Sequence, residues 1–204
     1  MGEEDLKNLD KGQVILQQLR ANKEIILVCW LVALAWIPIL GQNVNNTGLI
    51  LVFSWLIIPA AVLDYKYMML YNRLLWPVFL IGVAVAMSIN VFIPGYLLTN
   101  ILGCLLFGSF MHFLRIISRG GMGLGDIKYA YAMGIWLNLE QVLVAIMLAY
   151  LLASLGSCLW VWWKGIKLSE LGGCCIPFGP FIATGCVGSF LFSNQLLAWY
   201  VGWL

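Results

Sequence analysis

The sequence predicts an all-α fold: a polytopic membrane helical bundle of about seven transmembrane helices, with its N-terminus in the cytoplasm. Three observations point there. Hydrophobic residues make up 63% of the 204-residue chain and charged residues 10%, with a mean hydropathy of +0.95. A soluble domain of this size cannot hide so much apolar surface, so lipid is its main solvent. The apolar residues also come in long runs with short polar connections, and the basic residues crowd into alternate connections.

The first 24 residues, MGEEDLKNLDKGQVILQQLRANKE, form a polar tail of mixed sign. Glu3, Glu4 and Asp5 stand where a secretory signal would be basic. Leu6 stands where a myristoylation signal needs Ser or Thr. Leu6, Leu9, Ile15, Leu16 and Leu19 could line one face of a surface helix, the other reading being a solvated tail. Residues 25–204 then form a membrane-embedded domain.

Seven apolar segments follow, roughly at 25–41, 47–63, 74–93, 96–117, 127–139, 141–163 and 177–203. The fifth, IKYAYAMGIWLN, would cover only about 18 Å at a rise of about 1.5 Å per residue. The hydrocarbon core is about 30 Å thick. That segment must be tilted, buried by neighbours, or lengthened by part of the glycine stretch before it. The seventh is long and contains Pro180, Asn194 and Gln195. One reading ends it near residue 192 and continues it as an interfacial helix bearing Trp199 and Trp203.

Lys and Arg fall at 7, 11, 20 and 23, at 66 and 73, at 115, 119 and 128, and at 164 and 167. The intervening connections QNVNNTG, PG and NLE have none. With seven spans every basic residue lies on one side, which the positive-inside rule makes the cytoplasm.

The cysteines, Cys29, Cys104, Cys158, Cys174, Cys175 and Cys186, form no C-x-x-C pair. A zinc ribbon is not expected, and most of them read as small hydrophobes. No metal or cofactor is expected.

Between residues 25 and 204 the only aspartates are Asp64 and Asp126. The predicted topology puts both at the cytoplasmic ends of their helices, where they can meet. Each could also play a plain structural part, paired with Lys66 or Lys128, or, for Asp126, favoured by a helix dipole. As a pair they suit amide hydrolysis. Two adjacent carboxylates share a proton. The ionised one draws a proton from water, and the protonated one donates to the substrate carbonyl and then to the leaving amine. Glycines at 120, 121, 123 and 125 precede Asp126. A backbone without side chains can approach an extended peptide, or can simply form a turn.

Three stretches carry a resemblance. GMGLGDIKYAYAMGIWL contains G-x-G-D as Gly123, Leu124, Gly125 and Asp126, followed by Lys128 and Gly134. IPFGPFIATG spans residues 176 to 185, and a third stretch runs from Asp64 through LYNRLLWPVFLIG. In this order, over roughly residues 45 to 195, they resemble the type IV prepilin peptidase family of membrane aspartic proteases. The resemblance implies that Asp64 and Asp126 are catalytic, with Gly121, Gly123, Gly125, Lys128, Pro177 and Gly179 at the substrate. It implies a prepilin or pilin-like substrate cut at the cytoplasmic face of the inner membrane, with lipid as the other partner and no nucleic acid. Presenilin-type proteases share G-x-G-D but carry Tyr-Asp and Pro-Ala-Leu motifs, which are missing here. Tyr71 stands where the prepilin peptidase family usually has Pro, which bears on the start of the third helix. Larger members carry paired C-x-x-C motifs and methylate the new N-terminus; without those cysteines, methylation is not expected.

Other residues read as structural. His112 suits an interhelical hydrogen bond better than a proton relay. Pro177, Gly179 and Pro180 break and redirect a helix. Trp136, Trp160, Trp162, Trp163, Trp199 and Trp203 read as interfacial anchors, and Glu140 and Glu170 as solvated. The competing functions are an ion- or proton-coupled transporter using the Asp pair, expected to show inverted repeats, and a non-catalytic pilin-binding scaffold.

Overall fold

The computed structural model describes residues 11–40, 47–164 and 177–202. The regular elements among them are all helices: α1 Lys11–Ala21, α2 Lys23–Leu40, α3 Thr47–Tyr67, α4 Asn72–Phe92, α5 Tyr96–Ile117, α6 Leu124–Gly134, α7 Leu139–Lys164 and α8 Gly179–Val201. Four of the described helices are long and apolar enough to cross a membrane: α3 from Gly48, α4, α5, and α7 as far as Trp163. The chain is therefore a helical membrane bundle. Leu6, Leu9, Glu170, Cys174, Cys175, Trp203 and the side chain of Trp199 lie outside the described residues.

In α1, Ile15 is buried but Leu16 is exposed, so the face expected from the leucine spacing is only partly used. The junction of α1 and α2 is pinned instead by Asn22. Its buried amide donates to the Gln18 carbonyl (2.8 Å) and to the Tyr67 hydroxyl at the end of α3 (3.1 Å). Higher up, Trp30 of α2 stacks on Trp55 of α3 with ring centroids 5.3 Å apart, and its indole N–H donates to the Trp55 carbonyl.

Two turns show how the sequence sets helix boundaries. At Pro94-Gly95, Gly95 takes φ +90°. The Asn90 side-chain oxygen accepts from the amides of Gly95 (3.1 Å) and Leu97 (3.2 Å), which satisfies donors that the start of α5 leaves free. Before α7, Asn138 and Gln141 form a reciprocal capping box. The Asn138 side chain accepts from the Gln141 amide (2.8 Å), and the Gln141 side chain accepts from the Asn138 amide (3.1 Å).

The 11-residue helix α6 covers about 16 Å, too short to cross a bilayer alone. It begins inside the glycine stretch, and neighbours bury Ile127, Tyr129, Ala130, Ala132 and Met133. Its backbone lies almost against α5. A Cβ on Gly134 would sit 2.7 Å from the Cys104 Cα, and one on Gly103 would sit 2.4 Å from the Leu137 carbonyl oxygen. Asn100 of α5 donates to the Ile135 carbonyl just past the end of α6 (3.0 Å).

Several expectations need correction. Trp136 is a core residue, not an interfacial anchor: it is 2% exposed, and its indole N–H donates to the Val78 carbonyl (3.0 Å). The long tryptophan surface is at Trp162 and Trp163, both strongly exposed at the end of α7. α3 does not stop at Asp64 but runs on to Tyr67. α8 shows no break near residue 192 and continues to Val201. His112 is exposed rather than held between helices. Cys29, Cys104, Cys158 and Cys186 are free thiols.

The core gathers where α3, α6, α7 and α8 meet, around Phe53, Tyr129, Met133, Leu137, Ile182 and Cys186. The most extensive helix pairing is α7 with α8, followed by α5 with α6.

Candidate active site

Asp64 lies in the last full turn of α3 and is 5% exposed. A carboxylate in so closed a place needs a donor. The donor comes from the N-terminus of α8, where a helix leaves its first N–H groups unpaired. The Gly179 amide donates to Asp64 Oδ2 at 2.8 Å. Pro180, next in the chain, has no N–H to satisfy. The approach is close enough to demand glycine. A Cβ at residue 179 would stand 2.6 Å from Asp64 Oδ2 and 2.9 Å from its Cγ. The sequence Pro177-Phe178-Gly179-Pro180-Phe181 is thus the seat of the first aspartate.

Asp126 is held by the opposite arrangement, from within its own helix. Gly123 is the N-cap of α6, with φ −65° and ψ 143°, so Asp126 occupies the third helical position. From there its carboxylate reaches back to accept the Gly123 amide, the acidic half of a capping box. A Cβ on Gly123 would lie 3.1 Å from Asp126 Oδ2. α6 is not one of the membrane-length helices, and Asp126 stands in its first turn. Burial, and then the negative charge of Asp64, raise the pKa of Asp126 to about 6; the Gly123 amide pulls the other way. The second cause comes from a different helix: Asp126 is on α6 and Asp64 on α3.

The glycine loop is tied down before α6 starts. Ser118 caps α5, and Arg119 follows with φ +51°. The Gly120 amide returns to the Arg115 carbonyl (2.9 Å) and the Arg119 amide to the Ile116 carbonyl (3.1 Å). This is the Schellman pattern of a helix end. Gly120 has φ +91°, a conformation glycine adopts without strain. The Arg115 guanidinium donates to the Met122 carbonyl, which fixes the far side of the loop. Gly121 and Gly123 are exposed, and a Cβ on Gly125 would sit 3.1 Å from the Leu70 Cβ.

Neither lysine neutralises an aspartate. Lys66 is exposed, and Lys128 Nζ donates to Asn72 Oδ1 at 3.2 Å. Asn72 opens α4, so this bond joins the G-x-G-D stretch to the Leu70-Tyr71-Asn72 stretch. Tyr71 has φ −81°, close to the angle a proline ring imposes. The backbone that proline would favour is kept, and α4 starts at Asn72 without it. Pro177 is half-buried beside this end of the bundle.

Sequence reasoning did not single out Asn72, Tyr129, Tyr150 or Phe178. Tyr150 of α7 lies within range of the charge on Asp126. It packs on Phe178 with ring centroids 5.1 Å apart, which ties α7 to the α8 entry. The i, i+3 spacing of Asp126 and Tyr129 was a signal available in the sequence. An apolar groove of about 640 Å³ runs between α2, α3 and α8. It ends at Tyr65, Lys66 and Pro180, the immediate neighbours of Asp64 and Gly179.

The profile of the type IV leader peptidase family matches residues 50–158, a stretch that contains Asp64 and Asp126. The chain belongs to the type IV leader peptidase family. Relatives of this chain include prepilin leader peptidase/N-methyltransferases from three bacteria. The Xanthomonas campestris pv. campestris protein is 27% identical over 74% of this chain and 52% of its own length. The Dichelobacter nodosus protein is 31% identical over 74% of this chain and 51% of its own. The Bacillus subtilis protein is 29% identical over 74% of this chain and 58% of its own. The chain thus spans about half the length of the curated relatives it matches. No solved structure matches it.

Proposed function

We propose that this leader-peptidase family member is an aspartic endopeptidase that removes the N-terminal leader of prepilin or pilin-like substrates. Asp64 and Asp126 share one proton and one water. The ionised carboxylate takes a proton from the water as it attacks the scissile carbonyl carbon. The protonated carboxylate donates to the carbonyl oxygen, and the tetrahedral intermediate then collapses as a proton passes to the leaving amine. The water's oxygen ends in the new carboxylate and its protons are accounted for by the pair. The reaction needs no covalent intermediate.

The observation that carries this reading is a buried aspartate, Asp64, held by the Gly179 amide, whose charge reaches a half-buried aspartate, Asp126, on a separate helix. Gly179 and Gly123 hold the pair, and Gly121, Gly125, Lys128 and Pro177 are the proposed contacts of the substrate. The enzyme is a multi-pass protein of the inner membrane, with about seven transmembrane helices and a cytoplasmic N-terminal tail. Its basic connections then lie in the cytoplasm, on the same side as the aspartates, and cleavage occurs there.

The test is co-expression with a pilin-like precursor, with Asp64→Asn and Asp126→Asn made separately. Each change should lower the cleavage rate by about 10²–10⁴-fold, read as persistence of the longer precursor. Cleavage at the normal rate by either variant would sink the two-aspartate mechanism.

A further inference from the structure

Tyr129 has 0% of its surface exposed, and its phenolic oxygen has no hydrogen-bond partner among the described residues. A phenylalanine would fill the same space without stranding a polar atom, and a buried hydroxyl left unpaired is destabilising. The unpaired oxygen also lies in a particular place. Tyr129 follows Asp126 by three residues on α6, so the two side chains leave the helix on neighbouring lines of one face. The charges of Asp126 and of Asp64 on α3 both reach its oxygen. On the α7 side stands Tyr150, within range of Asp126, but its own hydroxyl is directed to the Met111 sulfur (3.2 Å). Tyr129 therefore brings a buried hydroxyl, unpaired among the described residues, to the neighbourhood of Asp126.

The aspartates have room for it. Asp64 Oδ2 accepts from Gly179, and the Asp126 carboxylate accepts from Gly123. A carboxylate has about four acceptor positions, so each keeps some free. Apo catalytic sites are commonly looser than their substrate complexes and tighten on binding.

We propose that Tyr129 is a positioning residue of the peptidase, whose buried hydroxyl donates a hydrogen bond to the ionised carboxylate of the Asp64–Asp126 pair when the pair closes on a substrate. This inference rests on the proposed function. The hydroxyl holds that carboxylate toward the attacking water. It also favours the ionised form, because only that form gains a strong charge-assisted bond.

Tyr129→Phe removes the oxygen and keeps the ring in the core. The assay is cleavage of a pilin-like precursor by the full chain purified in detergent, with kcat and KM measured across pH and thermal unfolding followed alongside. We expect kcat to fall by about 10-fold or more with KM little changed and the unfolding temperature held or raised. We also expect the acid limb of the pH profile to move to higher pH, since the carboxylate that lost its donor must ionise later. An unchanged kcat and pH profile would overturn the proposal. So would a Tyr129→Phe chain that no longer folds, which would give the hydroxyl a purely structural part. A wild-type chain that fails to cleave any precursor would instead count against the proposed function itself.

Discussion

A methyl group at residue 179 would have to occupy space that the Asp64 carboxylate already fills, with contacts of 2.6 and 2.9 Å. Neither side can yield easily. Asp64 is on a packed helix, and Gly179 begins another whose first amide is bound to that same carboxylate. Gly179→Ala should therefore displace Asp64, break the amide bond and cost about 1–3 kcal/mol from overpacking. Cleavage should fall at least as far as for removal of a general acid or base, about 10²-fold. Helix content by circular dichroism should stay unchanged. Full activity in Gly179→Ala would mean that Asp64 is not held by the α8 N-terminus. Gly179 was legible in the sequence as part of a Pro-Phe-Gly-Pro-Phe stretch, but its task was not. Sequence reading gave it to the substrate or to a bend, because the partner stands 115 positions away in the chain. Lys128 is a similar case: its natural partner by charge is an aspartate, yet it bonds Asn72.

Among the elements, those whose ends are marked by local chemistry were the most legible. The predicted 96–117 segment coincides with α5, because Pro94-Gly95 opens it and Arg119-Gly120 closes it. Local chemistry also makes a prediction for α7. The Asn138–Gln141 capping box satisfies two donors at its start, and it lies at the opposite end of α6 from Asp126. Asn138→Ala should lower stability by about 1 kcal/mol and leave the cleavage rate per folded molecule unchanged. Chemical denaturation with a parallel activity assay separates the two, and a large loss of kcat would couple this turn to the site. Trp136, two residues earlier, was misjudged because tryptophan near a segment end reads as an interfacial anchor. What overrides that rule is the shortness of α6. An 11-residue helix ends at bundle depth, so its following turn is buried and its indole N–H must find a carbonyl inside the protein. Of the three alternatives expected for this segment (tilt, burial by neighbours, or extension into the glycine stretch), α6 shows burial and a start inside the glycine stretch.

At the scale of the molecule, the bundle class was legible because lipid imposes a composition that few other environments allow. Asp64 and Asp126 stood out in the sequence because they are the only aspartates between residues 25 and 204. Their spacing was not legible, since it depends on how two helix groups dock. Asp64 belongs with α3 and α8, Asp126 with α5 and α6. Phe53 joins these groups in the core: its ring lies 5.3 Å from that of Trp136, beyond α6, and 5.2 Å from that of Phe190 on α8. It is fully buried. Phe53→Ala should cost about 3–5 kcal/mol, which thermal unfolding in detergent will register. It should also do something that a remote core truncation would not. With the ring gone, α6 can shift against α3 and α8, so the rate per folded molecule should fall along with stability. Phe107→Ala provides the comparison, a fully buried ring on α5. It should lower stability by a similar amount and spare kcat more. Equal kcat losses in the two variants would show that the separation of the aspartates is set elsewhere, and that Phe53 contributes only bulk.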